Sequence, residues 1–328
     1  MTRTLMAFMF SFLAISLPCN AEQLIGEVRL AGTISQTRMQ PAIQAMQAHP
    51  EMNGLLYQQM RAGEIISNFA SMGSASQPID LAVLPTPDSG VFLANEGHLR
   101  ELPTGLNADP GADWRSEVIT LFFDPSVIVM RKGLASPSDQ PQDRMELVRF
   151  LEKHAKRLEE RVGLVNIGLD RQSYAYAAQD QLRSPIFWQL AQAFGRLNAR
   201  IYGSNAELVQ AIGEGEIDLA YNVPLSEVAF ANQDDLVVLL PKDYIISLPW
   251  VIVAPSKTDN PLLLNVLSDL QSQVSQKRFP NRRFWQFFED DKIPQTQKVK
   301  IGPELLVFLD PLKKNRILDT WFQMVTNQ

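Results

Sequence analysis

Two arginines, Arg115 and Arg171, offer the strongest recognition chemistry in the chain. A guanidinium is a planar fork that matches carboxylate or phosphate oxygens, and its grip strengthens where water is excluded. Each also has the plainer role of an ion pair with a nearby Asp or Glu. Tyr221 and Asn222 end an apolar run, where strand backbone polarity is spent and side chains project beyond the sheet; they serve either ligand contact or loop stabilisation. Thr33 and Ser35 follow the first predicted strand and offer hydroxyls or backbone N–H groups, or else cap a helix. Thr86 belongs to a loop with Asp88, and Asp88 positions Arg115, binds a cation or starts a helix beside Ser89. Ser173 and Tyr174 carry the same double reading, ligand contact or helix start, while Tyr176, Phe122, Trp188 and Trp250 read as packing. Asp124, Asp243 and Tyr244 fall at predicted bends of the chain, where hinge geometry explains them as well as ligand contact does.

These residues are positioned by a unit that occurs twice. Ile79–Pro85 reads IDLAVLP and Ile217–Pro224 reads IDLAYNVP, and in each the run is followed by a Pro-containing loop, a Ser expected to cap, and an amphipathic helix start. Strand, loop and helix in that order build parallel α/β sheets. Two copies more than a hundred residues apart imply two similar lobes or two matches within one large sheet. If the lobes face each other, the loops at Thr86–Ser89 and Tyr221–Pro224 line two walls of one cleft. Helix N-termini there carry unpaired N–H groups and attract anions.

The 328 residues are 45% hydrophobic and 20% charged, enough chain for two compact lobes. A net charge of −6 argues against nucleic acid as a partner. The N-terminus reads as an export signal: Arg3, an apolar core over Leu5–Leu17, and Cys19-Asn20-Ala21 with cleavage before Glu22. Cys19 is the one cysteine, so the cleaved protein has no disulfide and no thiol nucleophile. The expected compartment is the bacterial periplasm.

Two further segments look like crossings between lobes. Val118–Phe123, Asp124-Pro125 and Ser126–Met130 read as one long strand bent midway; Leu236–Leu240, a polar joint through Asp243 and Tyr244, and Ile245–Ala254 read as the return. Asp143 is expected to cap one helix over Arg144–Glu160, Gly97 to end the helix after Ser89, and Leu312–Met324 to pack on the first lobe. The expected division is residues 1–21 signal, 22–124 first lobe, 125–243 second lobe, and 244–328 first lobe again with the C-terminal helices. Two straps and a cleft make a hinge that shuts on a small ligand.

The chain resembles extracellular solute-binding proteins of the type 2 periplasmic fold, in the ferric-type and sensor-associated branch of ABC binding components. The resemblance rests on IDLAVLPTPDSGVFLANEG, WR…FFDPSVIVMRKG, FWQLAQAFGRLNARIY, GEGEIDLAYNV, LPKDYIISLPWVIVAP and IGPELLVFLDPLKK, in that order over nearly the whole mature chain. It implies an α/β, two-lobed binding protein, monomeric, without a cofactor, that delivers its ligand to an ABC-type permease or to the periplasmic domain of a sensor kinase. Ferric relatives use adjacent tyrosines as ligands, and here that pair reads Tyr221-Asn222, which favours an organic anion (a di- or tricarboxylate, or a phosphorylated acid) over iron. His49, His98 and His154 show no metal spacing. The competing class is a periplasmic hydrolase, but GxSxG, HExxH and P-loop motifs are all missing, so no catalytic residue is assigned.

Overall fold

The computed structural model describes residues 27–71, 78–103, 111–232, 234–289 and 296–326. The expected export signal, with Arg3, Leu5–Leu17 and Cys19, lies outside the described residues.

The chain enters through β1 (Val28–Gly32), α1 (Gln36–Gln47), β2 (Leu55–Gln59), α2 (Ala62–Ala70), β3 (Leu81–Leu84), α3 (Pro87–Asn95) and the short β4 (Asp113–Trp114). It then runs along β5 (Val118–Arg131) into α4 (Arg144–Lys153), α5 (Ala155–Leu158), β6 (Val162–Val165), α6 (Arg171–Arg183), α7 (Ile186–Arg196), β7 (Arg200–Tyr202), α8 (Asn205–Glu214), β8 (Leu219–Pro224), α9 (Leu225–Phe230) and β9 (Leu236–Leu239). It returns through β10 (Ile245–Val253), α10 (Leu263–Ser275), α11 (Arg282–Glu289), β11 (Thr296–Lys298) and α12 (Pro311–Val325).

The two expected units hold equivalent places. In the first lobe the strand order is β2-β1-β3-β10-β5, with β1, β2 and β3 parallel and β10 antiparallel to β3. In the second it is β7-β6-β8-β5-β9, with β6, β7 and β8 parallel and β5 antiparallel to β8. So β3 and β8, the two IDLA strands, each lie between the opening strand of their lobe and a crossing strand. β5 is the expected long strand: its first half pairs with β10, its second half with β8 and β9. All four residues of β3 are buried, as in a parallel strand covered by helices on both faces.

Local chemistry sets the element ends. α3 starts with Pro87 at its first position, where a missing N–H costs nothing. It closes at Gly97 (φ +73°), with the Gly97 N–H donating to Ala94 O and the His98 N–H to Leu93 O, a Schellman closure as expected. Other expectations are corrected. Ser89 and Ser226 lie inside the first turns of α3 and α9, not at the caps, because Thr86 and Pro224 already stand at those boundaries. The helix expected over Arg144–Glu160 breaks at His154, which leaves helical geometry (φ −106°, ψ 17°). α12 does not pack on the first lobe: Ile317, Trp321 and Val325 join the second-lobe core with Leu190 and Phe194 of α7. The i, i+4, i+8 stripe fixed which face of α12 is buried but not against which neighbour. Because the turn at Pro303–Phe308 packs on α3, the stretch from Phe308 to Pro311 makes a third crossing between lobes.

Candidate functional site

The N-termini of α3 and α6 meet at the seam between the lobes. Asp88, the second residue of α3, is 5% exposed. Arg171 opens α6 and brings Nη2 to 3.7 Å from Asp88 Oδ2, an ion pair across the seam. Asp170 caps α6 by accepting the Ser173 N–H at 2.7 Å, and Asn205 Nδ2 donates to Ser173 Oγ at 3.0 Å. The Tyr174 hydroxyl donates to Phe308 O at 2.9 Å, tying α6 to the third crossing. From α12, the Lys314 ammonium sits 5.3 Å from the Tyr174 ring centroid. Asp88, Gly168, Asp170, Arg171, Tyr174 and Lys314 surround a cavity of about 10 Å³, and a second of about 10 Å³ lies between Asp88, Tyr174, Gln179 and Phe308. Each holds a water at most, so a larger guest requires the lobes to part.

Burial shapes the protonation of these groups. Desolvation, followed by the Asp88 charge, pushes the Tyr174 phenol up to about 12, so it acts as a neutral hydroxyl. Lys314 is lowered by burial first and by Arg171 second, with Asp88 opposing. Asp88 Oδ1 is buried and has no hydrogen-bond partner among the described residues.

Behind the seam, Asp124 at the bend of β5 is fully buried and gathers both lobes. Its carboxylate accepts Ser226 N–H (3.0 Å) and Ser226 Oγ (2.5 Å) from α9, Trp250 Nε1 (3.0 Å) from β10, and Gln172 Nε2 (3.4 Å) from α6. Desolvation outweighs these bonds and pushes Asp124 up to about 6. Arg38 of α1 pairs with Glu227 of α9, a second link between lobes.

A third polar cluster fixes the return crossing. Arg144 and Asp180 are 1% and 0% exposed, with Nε 3.1 Å from Oδ1. Arg144 also donates to Tyr221 Oη (2.8 Å), Asp243 Oδ1 (2.9 Å) and Tyr244 O (2.7 Å). Asp180 accepts the Tyr221 hydroxyl (2.6 Å), Asn222 Nδ2 (3.2 Å) and the Tyr244 hydroxyl. Burial alone would lower Arg144, but Tyr221, Asp180, Tyr244 and Asp243 outweigh it and raise it.

The expected site residues therefore divide. Asp88, Arg171, Ser173 and Tyr174 come together at the seam, with Thr86 at the N-cap of α3 and its hydroxyl 3.3 Å from Ser89 Oγ. Thr33 and Ser35 are half-buried in the β1–α1 turn, with Ser35 at the N-cap of α1 making no side-chain cap bond. Tyr221 is buried in the Arg144–Asp180 cluster, where burial raises its phenol well above the usual value, and with Asn222 and Ser173 it lines a cavity of about 30 Å³. Asn222 (φ +57°) accepts from Ser126 Oγ at 2.6 Å beside that cluster. Arg115 stays outside the seam: its side chain is 51% exposed, Nε lies 2.9 Å from Glu117 Oε2, and it stacks over Trp114. Asp88 pairs with Arg171, not Arg115, whose guanidinium is taken up by Glu117 and by Ala94 O at the end of α3. Lys314 escaped the sequence reading, since nothing in PLKK marks which lobe its helix will join. Among the described residues no group of three or more His, Cys, Asp or Glu is placed to hold a metal ion, and no helix is long and apolar enough to cross a membrane.

A two-lobed α/β body with crossing strands between the lobes defines the type 2 periplasmic binding-protein fold, and this chain has it. The substrate-binding protein of an ABC transporter from Agrobacterium tumefaciens superposes with a TM-score of 0.78 at 22% identity, covering 93% of this chain and 96% of that one. Iron-bound HitA from Pseudomonas aeruginosa gives 0.61 at 15% identity (91% and 99% covered). The periplasmic binding protein AfuA from Actinobacillus pleuropneumoniae, with fructose-6-phosphate bound, gives 0.65 at 11% identity (92% and 99% covered). At these identities the likeness establishes the fold. No family model and no curated protein matches the sequence.

Proposed function

We propose that the chain is a periplasmic solute-binding protein that captures a small organic anion, a di- or tricarboxylate or a phosphorylated acid, by closing its lobes. It then hands the closed form to an ABC-type permease or to a two-component sensor. The observation that carries this reading is the seam itself: Arg171 and Lys314 on the second-lobe side face Asp88 of the first, around a cavity sealed by Tyr174. Closure onto a guest strengthens those charged contacts by excluding water. Thr33, Ser35 and Thr86 supply the first-lobe wall when the seam opens, and Ser173 and Tyr174 the second. Binding without turnover fits the three binding-protein neighbours, and the sequence carries no GxSxG, HExxH or P-loop motif.

Iron is the second reading, and HitA is its support. It is disfavoured because Tyr221 is a buried phenol engaged by Arg144 and Asp180, unavailable as an anionic oxygen ligand. Thermal-shift measurements with organic acids, phosphorylated acids and Fe³⁺ test the choice. A matching acid at a hundredfold over Kd adds about 2.7 kcal/mol of stability. A response confined to neutral sugars, polyamines or Fe³⁺ contradicts the anion reading.

A further inference from the structure

The seam cavity is lined by both signs of charge. Arg171 and Lys314 are cationic, while Asp88 from the first lobe and Asp170 from the second are carboxylates. Asp170 is already satisfied, accepting from Ser173 N–H at 2.7 Å and Asn205 Nδ2 at 3.3 Å. Asp88 is not. Its Oδ2 meets Arg171 at 3.7 Å, beyond hydrogen-bond reach, and its Oδ1 is buried without a hydrogen-bond partner among the described residues. Neighbouring donors are committed elsewhere: the Tyr174 hydroxyl to Phe308 O, and the Thr86 hydroxyl to its contact with Ser89 Oγ. A buried carboxylate oxygen with no donor is costly, and the described residues supply none at this place.

We infer that the guest carries a hydrogen-bond donor, a hydroxyl or an ammonium, close to its anionic group, and that Asp88 Oδ1 receives it while Arg171 and Lys314 hold the anion. This rests on the anion reading above and narrows it to hydroxylated or aminated acids. A site that hydrogen-bonds a substrate O–H or N–H rejects the analogue that lacks it, because its own polar group is then stranded. Asp88 is therefore a specificity-determining residue.

The test uses calorimetric titration of the mature protein with matched pairs: succinate against malate and aspartate, tricarballylate against citrate, and propyl phosphate against glycerol 3-phosphate. In at least one pair the donor-bearing member binds about tenfold tighter or better. Asp88→Ala abolishes that preference. Asp88→Asn, which keeps an acceptor oxygen but no charge, retains a preference for a hydroxyl and loses one for an ammonium, so the variants identify the donor. Far-ultraviolet dichroism and melting confirm that each variant folds, and Asp88→Leu, of similar size and without an acceptor oxygen, decides the matter if Asp88→Ala does not fold. Equal binding within every pair overturns this inference and leaves the anion reading standing. A preference that survives in folded Asp88→Ala, or in folded Asp88→Leu, which also lacks an acceptor, overturns the role of Asp88. No binding by any of these acids overturns the anion reading and this inference with it.

Discussion

Asp124 makes stability depend on pH in a direction opposite to that of an ordinary salt-bridged carboxylate. Its folded value of about 6 stands above the 3.8 of the free group because burial strips its water, and Ser226 and Trp250 only partly replace it. A gap of roughly two pH units is worth about 3 kcal/mol. Between these two values the folded state binds the proton more tightly than the unfolded chain does. Asp124 therefore favours the fold fully below about pH 4, and that contribution drains away as pH rises through 6. The measurement is urea unfolding of the wild type and Asp124→Asn at intervals from pH 4 to pH 7. Asparagine keeps the shape and cannot titrate, so the pH slope, not the absolute stability, is the readout. Relative to the variant, the wild type should lose up to about 3 kcal/mol across that range. Parallel profiles within about 1 kcal/mol, or a wild type that gains on the variant as pH rises, would refute the account of Asp124 as a desolvated carboxylate.

Arg144→Ala strands Asp180 in the interior and should cost about 3–5 kcal/mol in chemical denaturation, whereas the double variant Arg144→Met/Asp180→Leu should recover much of the loss. Arg171→Ala and Lys314→Ala should each weaken binding of the matching acid about tenfold or more by calorimetry with little change in melting temperature, since both side chains sit at the seam rather than in a core. Arg115→Ala, which removes an exposed side chain paired with the buried Glu117 outside the seam, should change affinity less than about twofold; a loss equal to that of Arg171→Ala would return Arg115 to the site. Gly163→Ala places a Cβ 2.6 Å from Leu208 Cδ1, so β6 and α8 must shift, and unfolding should report a loss of about 1–3 kcal/mol.

The fold was legible because its signals are local. The IDLA runs, the bend at Asp124-Pro125 and the Gly97 closure each follow from a few adjacent residues, and the equivalence of β3 and β8 follows from their repetition. Half of the candidate site was legible for the same reason: Asp88 and Arg171 lie at helix starts, and in this architecture helix starts gather at the seam. What the sequence hid is partnership across long separations. Tyr221 looks alike on a cleft wall and beside Arg144, 77 positions away. Arg144 reads as one more polar residue after a capping Asp143, though only 1% of it is exposed. Lys314 enters the seam only because α12 docks on α7, a choice made by the shape of the α7 surface and not by the periodicity of α12.

The central claim is that the seam at Asp88, Arg171 and Lys314 shuts on an organic anion. Because Cys19 is the chain's sole cysteine and falls within the expected export signal, the mature protein can be labelled at two introduced sites. Glu51→Cys on the first lobe and Lys156→Cys on the second are both exposed. Energy transfer between dyes at these positions should rise on adding the acid that stabilises the protein, and Arg171→Ala should abolish the rise at the same concentration. Binding of that acid with unchanged transfer, or an undiminished rise in Arg171→Ala, would contradict capture by closure at this seam.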